Sequence, residues 1–390
     1  MYSNYCCGCG LCESLNKCKL CKDKKGFLKP DKETSELKSF CENVCPASGV
    51  QCNSLDSKQL WGRNIQAYKA YSSDDNIRFM ASSGGVLTSL CCYLLDYKLV
   101  DGIVHTKEDK NDPISTITVC STTSSEVIEA SGSRYSSSSP LRNIKQYLDD
   151  GKKYAFVGKP CDVTGLRNYS KLDSRVNESF PYMLSFFCAG APSELANRRL
   201  LEKMNCDYES LKSLKYRGNG WPGYATSIDK NGKHQLLYRE AWRDTLGRDI
   251  RLMCRFCLDG IGELADISCC DAWKIGSDKK PLFEECDGEN AVFCRTSLGY
   301  KLFNDACEAG YIVSSSYPSY KKELKYYQRY QYDRRVTMLG SIIAMKLLKK
   351  GVPNYDFKVL NRYAKKYRVR TQIKRFIGTY KRAKNGKMDI

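Results

Sequence analysis

Near the amino terminus, Cys6-Cys7-Gly8-Cys9-Gly10-Leu11-Cys12 places three thiols three positions apart, with glycines between them. That spacing wraps a backbone around one face of an iron–sulfur cube, and glycine lets amide N–H groups approach the inorganic sulfides. It matches half of a bacterial ferredoxin motif. In the full motif a fourth cysteine comes four residues later and precedes proline, but position 16 is asparagine. Cys45-Pro46 is the obvious substitute, and Cys41 is a candidate ligand of a second cluster. Cys18, Cys21 and Cys52 lie in the same stretch. A four-cysteine zinc site is the competing reading. It ranks lower because zinc sites pair two Cys-x-x-Cys knuckles rather than stringing three cysteines in one run.

Four more cysteines stand further along: Cys161 in Gly158-Lys159-Pro160-Cys161, Cys188 in Phe187-Cys188-Ala189-Gly190, and Cys254 and Cys257 in Cys254-Arg255-Phe256-Cys257. Cys161 and Cys188 end predicted strands and the pair falls in a predicted loop. All four can therefore meet at the carboxyl edge of one sheet, where α/β proteins place their sites, and make a second cluster site. Cys91, Cys92, Cys120, Cys206, Cys286, Cys294 and Cys307 are read as small buried hydrophobes. Beside 22 cysteines the chain has two histidines, His105 and His234. Any multi-ligand metal site must then be mostly thiolate, which points to zinc or iron–sulfur clusters and away from imidazole catalysis.

Two small-residue loops precede predicted helices. Ala81-Ser82-Ser83-Gly84-Gly85 opens one running to Leu95, and Gly132-Ser133-Arg134-Tyr135-Ser136 comes before one at Pro140. Free amides and the dipole at a helix start favour an anion, so the Ser83, Gly84, Gly85 turn offers a seat for a cofactor phosphate. Arg134 can pair with phosphate and Tyr135 can stack on a ring. The bland readings are ordinary N-cap grammar for the first loop and a solvated serine loop for the second.

Three stretches supply the scaffold. Residues 1–60 hold nine cysteines and little apolar periodicity, so a metal must replace a core. Residues 61–315 alternate short apolar runs with amphipathic segments. Strands are expected over 65–71, 102–105, 114–120, 154–157 and 182–187, and helices over 85–95, 141–148 and 194–204. Residues 316–390 read as basic helices over 327–349 and 357–383. The predicted fold class is an α/β body with a mixed sheet, a small ferredoxin-like amino-terminal domain and a basic helical carboxyl-terminal extension.

The net charge is +19, yet from residue 321 onward 21 basic residues face four acids, so +17 belongs to the extension. The body owes nothing to polyanions, and nucleic acid is a disfavoured partner. The extension is read first as packed on the chain with a solvated basic face, then as a dock for an acidic redox partner, then as a peripheral contact with an anionic membrane. Neither a basic-then-apolar leader nor a run of 18 apolar residues is seen, and a cytoplasmic protein is expected.

In order along residues 1–300 stand the Cys-x-Gly-Cys-Gly-x-Cys opening, Ser83-Gly84-Gly85, Gly132 to Tyr135, Gly-x-Pro-Cys161 and Cys188-x-Gly-x-Pro-Ser193. Arg217 before Trp221, the Cys254 pair, and Ala265-Asp266-Ile267-Ser268 with Asp271-Ala272-Trp273 follow. Together they resemble the coenzyme F420 hydrogenase/dehydrogenase beta-subunit family. The resemblance implies an FAD oxidoreductase in which one to three 4Fe-4S clusters feed or drain a flavin that exchanges electrons with a small organic substrate. It places the flavin on Ser83, Gly84, Gly85, Ser133, Arg134 and Tyr135, and one cluster on Cys161, Cys188, Cys254 and Cys257. The amino-terminal cysteines Cys6, Cys9, Cys12, Cys41 and Cys45 would hold one or two more.

Lys159 and Arg217 are the candidates for stabilising reduced flavin or binding an acidic substrate, with a solvated surface charge the favoured reading of Lys159. Family members reduce the deazaflavin F420, and many bacterial ones accompany polysaccharide biosynthesis. Lys159 and Asp162 stand where the family has Thr and Gln, Ala189 stands where His is common, and Cys269-Cys270 replaces an aliphatic-Gly pair. These departures leave the substrate open. The expected partner is ferredoxin or another oxidoreductase subunit. Two other classes compete: a colourless, zinc-stabilised nucleic-acid module, and a non-catalytic electron-transfer or assembly subunit with clusters but no flavin. Neither accounts for the two small-residue loops.

Overall fold

The computed structural model describes residues 3–49 and 55–388, so Cys52 lies outside the described residues. A hairpin of β1 (Leu20–Lys22) and β2 (Leu28–Pro30) closes through Asp23, whose carboxylate accepts from the amides of Lys25 and Phe27. The helix Ser35–Val44 begins where the Thr34 side chain accepts from Leu37 N–H, an N-cap that satisfies one orphan donor.

The body contributes β3 (Gln66–Ser72), β4 (Gly102–Asp109), β5 (Asp112–Ser121), β6 (Tyr154–Gly158), β7 (Tyr182–Phe186), β8 (Ser213–Lys215), β9 (Tyr224–Asp229), β10 (Gly232–Leu237), β11 (Ile267–Asp271), β12 (Asn290–Cys294) and β13 (Ile312–Ser316). Eight of them form a mixed sheet in the order β13-β3-β12-β11-β7-β6-β4-β5. The four central strands β11, β7, β6 and β4 run parallel, and the flanking pairings are antiparallel. Side chains alternate faces along each strand. Ala155, Leu184 and Ile267 join one core with the helices Val86–Asp96 and Ser297–Glu308. Tyr154, Phe156 and Met183 join another with the helices Ile144–Asp149 and Pro160–Tyr169. Burial on both faces is why β6 and β7 read as nearly continuous apolar runs. β10, β9 and β8 form a separate antiparallel sheet.

The basic extension packs on the chain, as the first of its three readings requires. The helix Arg329–Leu347 sends Met338, Ile342 and Met345 into a core shared with Tyr5, Cys7, Ala47 and Phe256. The helix expected over 357–383 is two helices, Phe357–Ala364 and Val369–Lys384, separated by a segment in which Lys365, Lys366 and Arg368 crowd like charges. Arg335 forms a buried ion pair with Glu263 at 2.5 Å and donates to the carbonyls of Leu60 and Leu258. No helix among the described residues is long and apolar enough to cross a membrane.

His105 on β4 is buried and lies 2.8 Å from Ser121 Oγ. Burial, with help from Lys107, lowers its pKa to about 4. The folded state therefore prefers neutral imidazole, while the unfolded chain takes up its proton as pH falls below about 6.5. Its contribution is complete above that pH and is lost as pH falls to about 4, a difference of about 3 kcal/mol. Denaturant titrations should show wild type losing this stability relative to His105→Gln across that window. Parallel curves for the two proteins would contradict the assignment.

Candidate functional site

The carboxyl ends of β4, β6, β7 and β11 share one edge of the sheet, and a cavity of about 480 Å³ opens there. Both small-residue loops line it, and they are joined, because Ser133 N–H donates to Ser82 Oγ at 2.8 Å. Gly84 packs too closely for any side chain: a Cβ would stand 2.9 Å from the Ala70 carbonyl and the Asn290 amide. Gly85 adopts φ +79°, which glycine reaches without strain, and so starts the helix Val86–Asp96. Ser83 Oγ donates to the Glu289 carbonyl at 3.1 Å. Ser82, Ser83, Gly85, Leu87 and Thr88 face the cavity, while Gly84 does not line it. A helix start leaves such first-turn amides without intrahelical acceptors.

Ser133, Arg134 and Tyr135 also line the cavity. Arg134 is a brace. Its terminal nitrogens donate to the carbonyls of Leu214, Pro113 and Ser115 and pair with Glu108, leaving Nε without a partner. Tyr135 packs edge-on to Tyr216 and lies 5.1 Å from Trp242 and 6.4 Å from the Tyr238 ring. Buried Arg217 Nε in the same wall also lacks a partner.

Cys161 sits in the first turn of the helix Pro160–Tyr169, Cys188 follows β7, and Cys254 lies on the one-turn helix Leu252–Phe256 that Cys257 caps. The pair is thus carried by a short helix, not the loop expected. The four thiols come together: Cys188 senses Cys254 and Cys161, and Cys257 senses Cys161 and Cys254. Burial pushes Cys188 up to about 12, with its thiol neighbours adding to the rise and Arg334 and Lys159 opposing it. Four thiols so placed cannot all ionise unless a metal compensates them. They fit a four-thiolate cluster.

The amino-terminal thiols form a second set around a smaller cavity of about 290 Å³ lined by Cys6, Cys9, Cys12, Cys41 and Cys45. Burial raises Cys6 to about 12, with Cys45 and Cys12 adding to it and Arg251 opposing, while Cys9 is raised by burial, then by Cys12 and Cys45. Cys6, Cys9, Cys12 and Cys45 thus make one mutual set, in keeping with the ferredoxin reading. Cys41 hydrogen-bonds Cys45, and Cys18 donates to Cys12 at 3.3 Å from behind.

Lys159 keeps only 14% of its side chain exposed and pairs with Asp162 at 2.7 Å, with Ser138 Oγ as a second partner, which overturns its reading as a solvated surface charge. Burial alone would lower its pKa, but the Asp162 carboxylate outweighs that and holds it protonated. Arg217 is buried, meets Asp271 through two bonds of 3.1 and 3.0 Å and stacks on Tyr238 at 4.1 Å. Trp221 Nε1 donates to the same carboxylate, and its indole stacks on Trp273 at 4.1 Å.

Three site residues escaped the sequence reading. Arg334, in the basic extension, donates to the carbonyls of Ala189, Cys254 and Cys188, placing a buried cation against the body thiols. Arg251 joins Cys6, Leu28 and Ser137. Cys7 lines the amino-terminal cavity beside Cys6 and also hydrogen-bonds Cys161, linking the two thiol sets. The doubled Cys6-Cys7 was the one local signal for it.

Two family models match most of the body. Both describe the coenzyme F420 hydrogenase/dehydrogenase beta subunit, one its amino-terminal part, over residues 67–145, and the other its carboxyl-terminal part, over 151–319. The F420-dependent formate dehydrogenase subunit beta of Methanocaldococcus jannaschii is 32% identical over 252 residues, covering 62% of this chain and 59% of that protein. The coenzyme F420 hydrogenase subunit beta of Methanococcus voltae is 26% identical over 305 residues, covering 75% and 99%. The matches span less than two thirds of the two formate dehydrogenase relatives, 59% and 62%. A chain from the F420-reducing [NiFe] hydrogenase complex of Methanosarcina barkeri shares the fold with a TM-score of 0.57 at 21% identity, over 75% of this chain and 96% of that one. The chain belongs to the coenzyme F420 hydrogenase/dehydrogenase beta-subunit family.

Proposed function

We propose that this protein is an iron–sulfur flavoprotein subunit that carries electrons from an amino-terminal 4Fe-4S cluster through a body cluster to FAD and an organic substrate. One observation carries the reading: Cys188 belongs to the body thiol set and also lines the cavity formed by the two small-residue loops. Cys6, Cys9, Cys12 and Cys45 would hold one cluster, and Cys161, Cys188, Cys254 and Cys257 the other. When bound, the clusters supply one-electron carriage and FAD supplies the conversion to two-electron chemistry.

The remaining work falls to the chain. The first-turn amides at Leu87 and Thr88, with Ser82, Ser83 and Ser133, all of which line the cavity, would take a phosphate. Tyr135, Tyr238 and Trp242 offer apolar ring surface, and Asp271 fixes the orientation of Arg217 beside it. Arg239 and Arg243, both exposed, line the cavity with Arg217, which suits an anionic substrate. The arginine cluster supports an F420-like or other acidic compound, and the relatives support another redox subunit as partner. Anaerobic purification with iron, sulfide and flavin analysis tests the reading. About eight irons and one FAD per chain are expected, with a band at about 400 nm that dithionite bleaches. A colourless, flavin-free zinc protein would overturn it.

A further inference from the structure

The β10-β9-β8 sheet carries a third cluster of metal-ligating side chains, distinct from both thiol sets. On β9, Ser227 and Asp229 are two residues apart and so share a face. His234 on β10 pairs directly opposite Ser227 and presents its ring on the same side. Cys206, from the segment after the helix Glu194–Lys203, packs on that face. The ligand atoms of Cys206, Asp229 and His234 all lie within 4.8 Å of one another, and His234 Nε2 is 3.0 Å from Asp229 Oδ1. Ser227 is fully buried, and its hydroxyl meets the Cys206 thiol, as does the Asp229 carboxylate, so all four side chains converge on one point. The Asp229 carboxylate is held in place by the amides of Asp207 and Asn231, the kind of outer support that orients a ligating carboxylate.

We infer that Cys206, Asp229 and His234 bind a divalent transition metal, zinc by the chemistry of the donors, with Ser227 Oγ or a water as fourth ligand. One thiolate, one imidazole and one carboxylate are borderline-soft donors of the zinc type, and tetrahedral bonds of about 2.0–2.3 Å need ligand atoms about 3.3–3.8 Å apart, a spacing this cluster reaches with small adjustment. The ion would clamp the segment at Cys206 to the β9–β10 hairpin. That sheet leads through β8 to Arg217, so the clamp would stiffen one wall of the cavity.

The test uses the full chain, purified anaerobically with its iron complement. Elemental analysis should find about one zinc per chain, and zinc-edge X-ray absorption should show a single sulfur at about 2.3 Å beside nitrogen and oxygen ligands. Cys206→Ser and His234→Gln should each lower zinc at least about tenfold while iron is unchanged. Absence of zinc overturns the assignment. So does zinc surrounded by four sulfurs, which would mark misloading of a thiol site, or zinc content equal in wild type and both variants. Because the wild-type spectrum is decisive alone, failure of a variant to fold leaves the test intact. Loss of iron or flavin would not bear on it.

Discussion

Cys188→Ser is expected to lower iron by about four atoms per chain and electron transfer to the cavity by at least about a hundredfold, while the amino-terminal cluster and the fold persist. Serine is nearly isosteric and the residue lies just beyond β7, a strand that is buried independently, so the loss should be confined to the thiol set. Iron and sulfide analysis, with low-temperature spin resonance of the reduced protein, reads the outcome. Retention of the full iron content would show that Cys188 is not a required ligand. Cys7, hydrogen-bonded to Cys161, would then be the substitute, and adding Cys7→Ser to the same background would remove the four atoms.

The largest stability effect is expected at Arg335. Arg335→Met would leave Glu263 buried without its cation and strip the donor from the carbonyls of Leu60 and Leu258. Breaking such a pair costs about 3–5 kcal/mol, since the remaining charge keeps its desolvation penalty and loses the interaction that offset it. Asp259 is also buried beside Glu263, so the unpaired acid would face a second one. Denaturant midpoints provide the measurement. Glu263→Leu in the Arg335→Met background should recover most of the loss, and a single-variant cost below about 1 kcal/mol would contradict the assignment.

Local rules reach a long way into this molecule and then stop at identifiable places. That the Cys-x-x-Cys-x-x-Cys run would gather with Cys45, and the strand-end cysteines with the Cys254 pair, was legible because such thiol sets follow residue type and spacing, which are local. Gly85 was legible too, since a left-handed turn before a helix calls for glycine. At Gly84 a second constraint was out of reach of the sequence: β3 and β12 approach it too closely for a side chain, a condition set by residues distant in sequence. The same holds for Arg134, whose phosphate-like partners turn out to be backbone carbonyls on β5 and β8.

By itself the sequence determined the α/β alternation, the thiol chemistry and the two loops beside the cavity, since periodicity, ligand spacing and turn residues act over a few positions. Tertiary structure alone decided which charges are buried. Lys159 became a mostly covered partner of Asp162, and Arg334 and Arg335 left the basic face that reads as solvated to reach Cys188 and Glu263. It also brought Cys206, Asp229 and His234 to one face of a sheet, where composition had suggested mostly thiolate sites. Burial and electrostatic pairing depend on which segments fold together, and no local spacing records that.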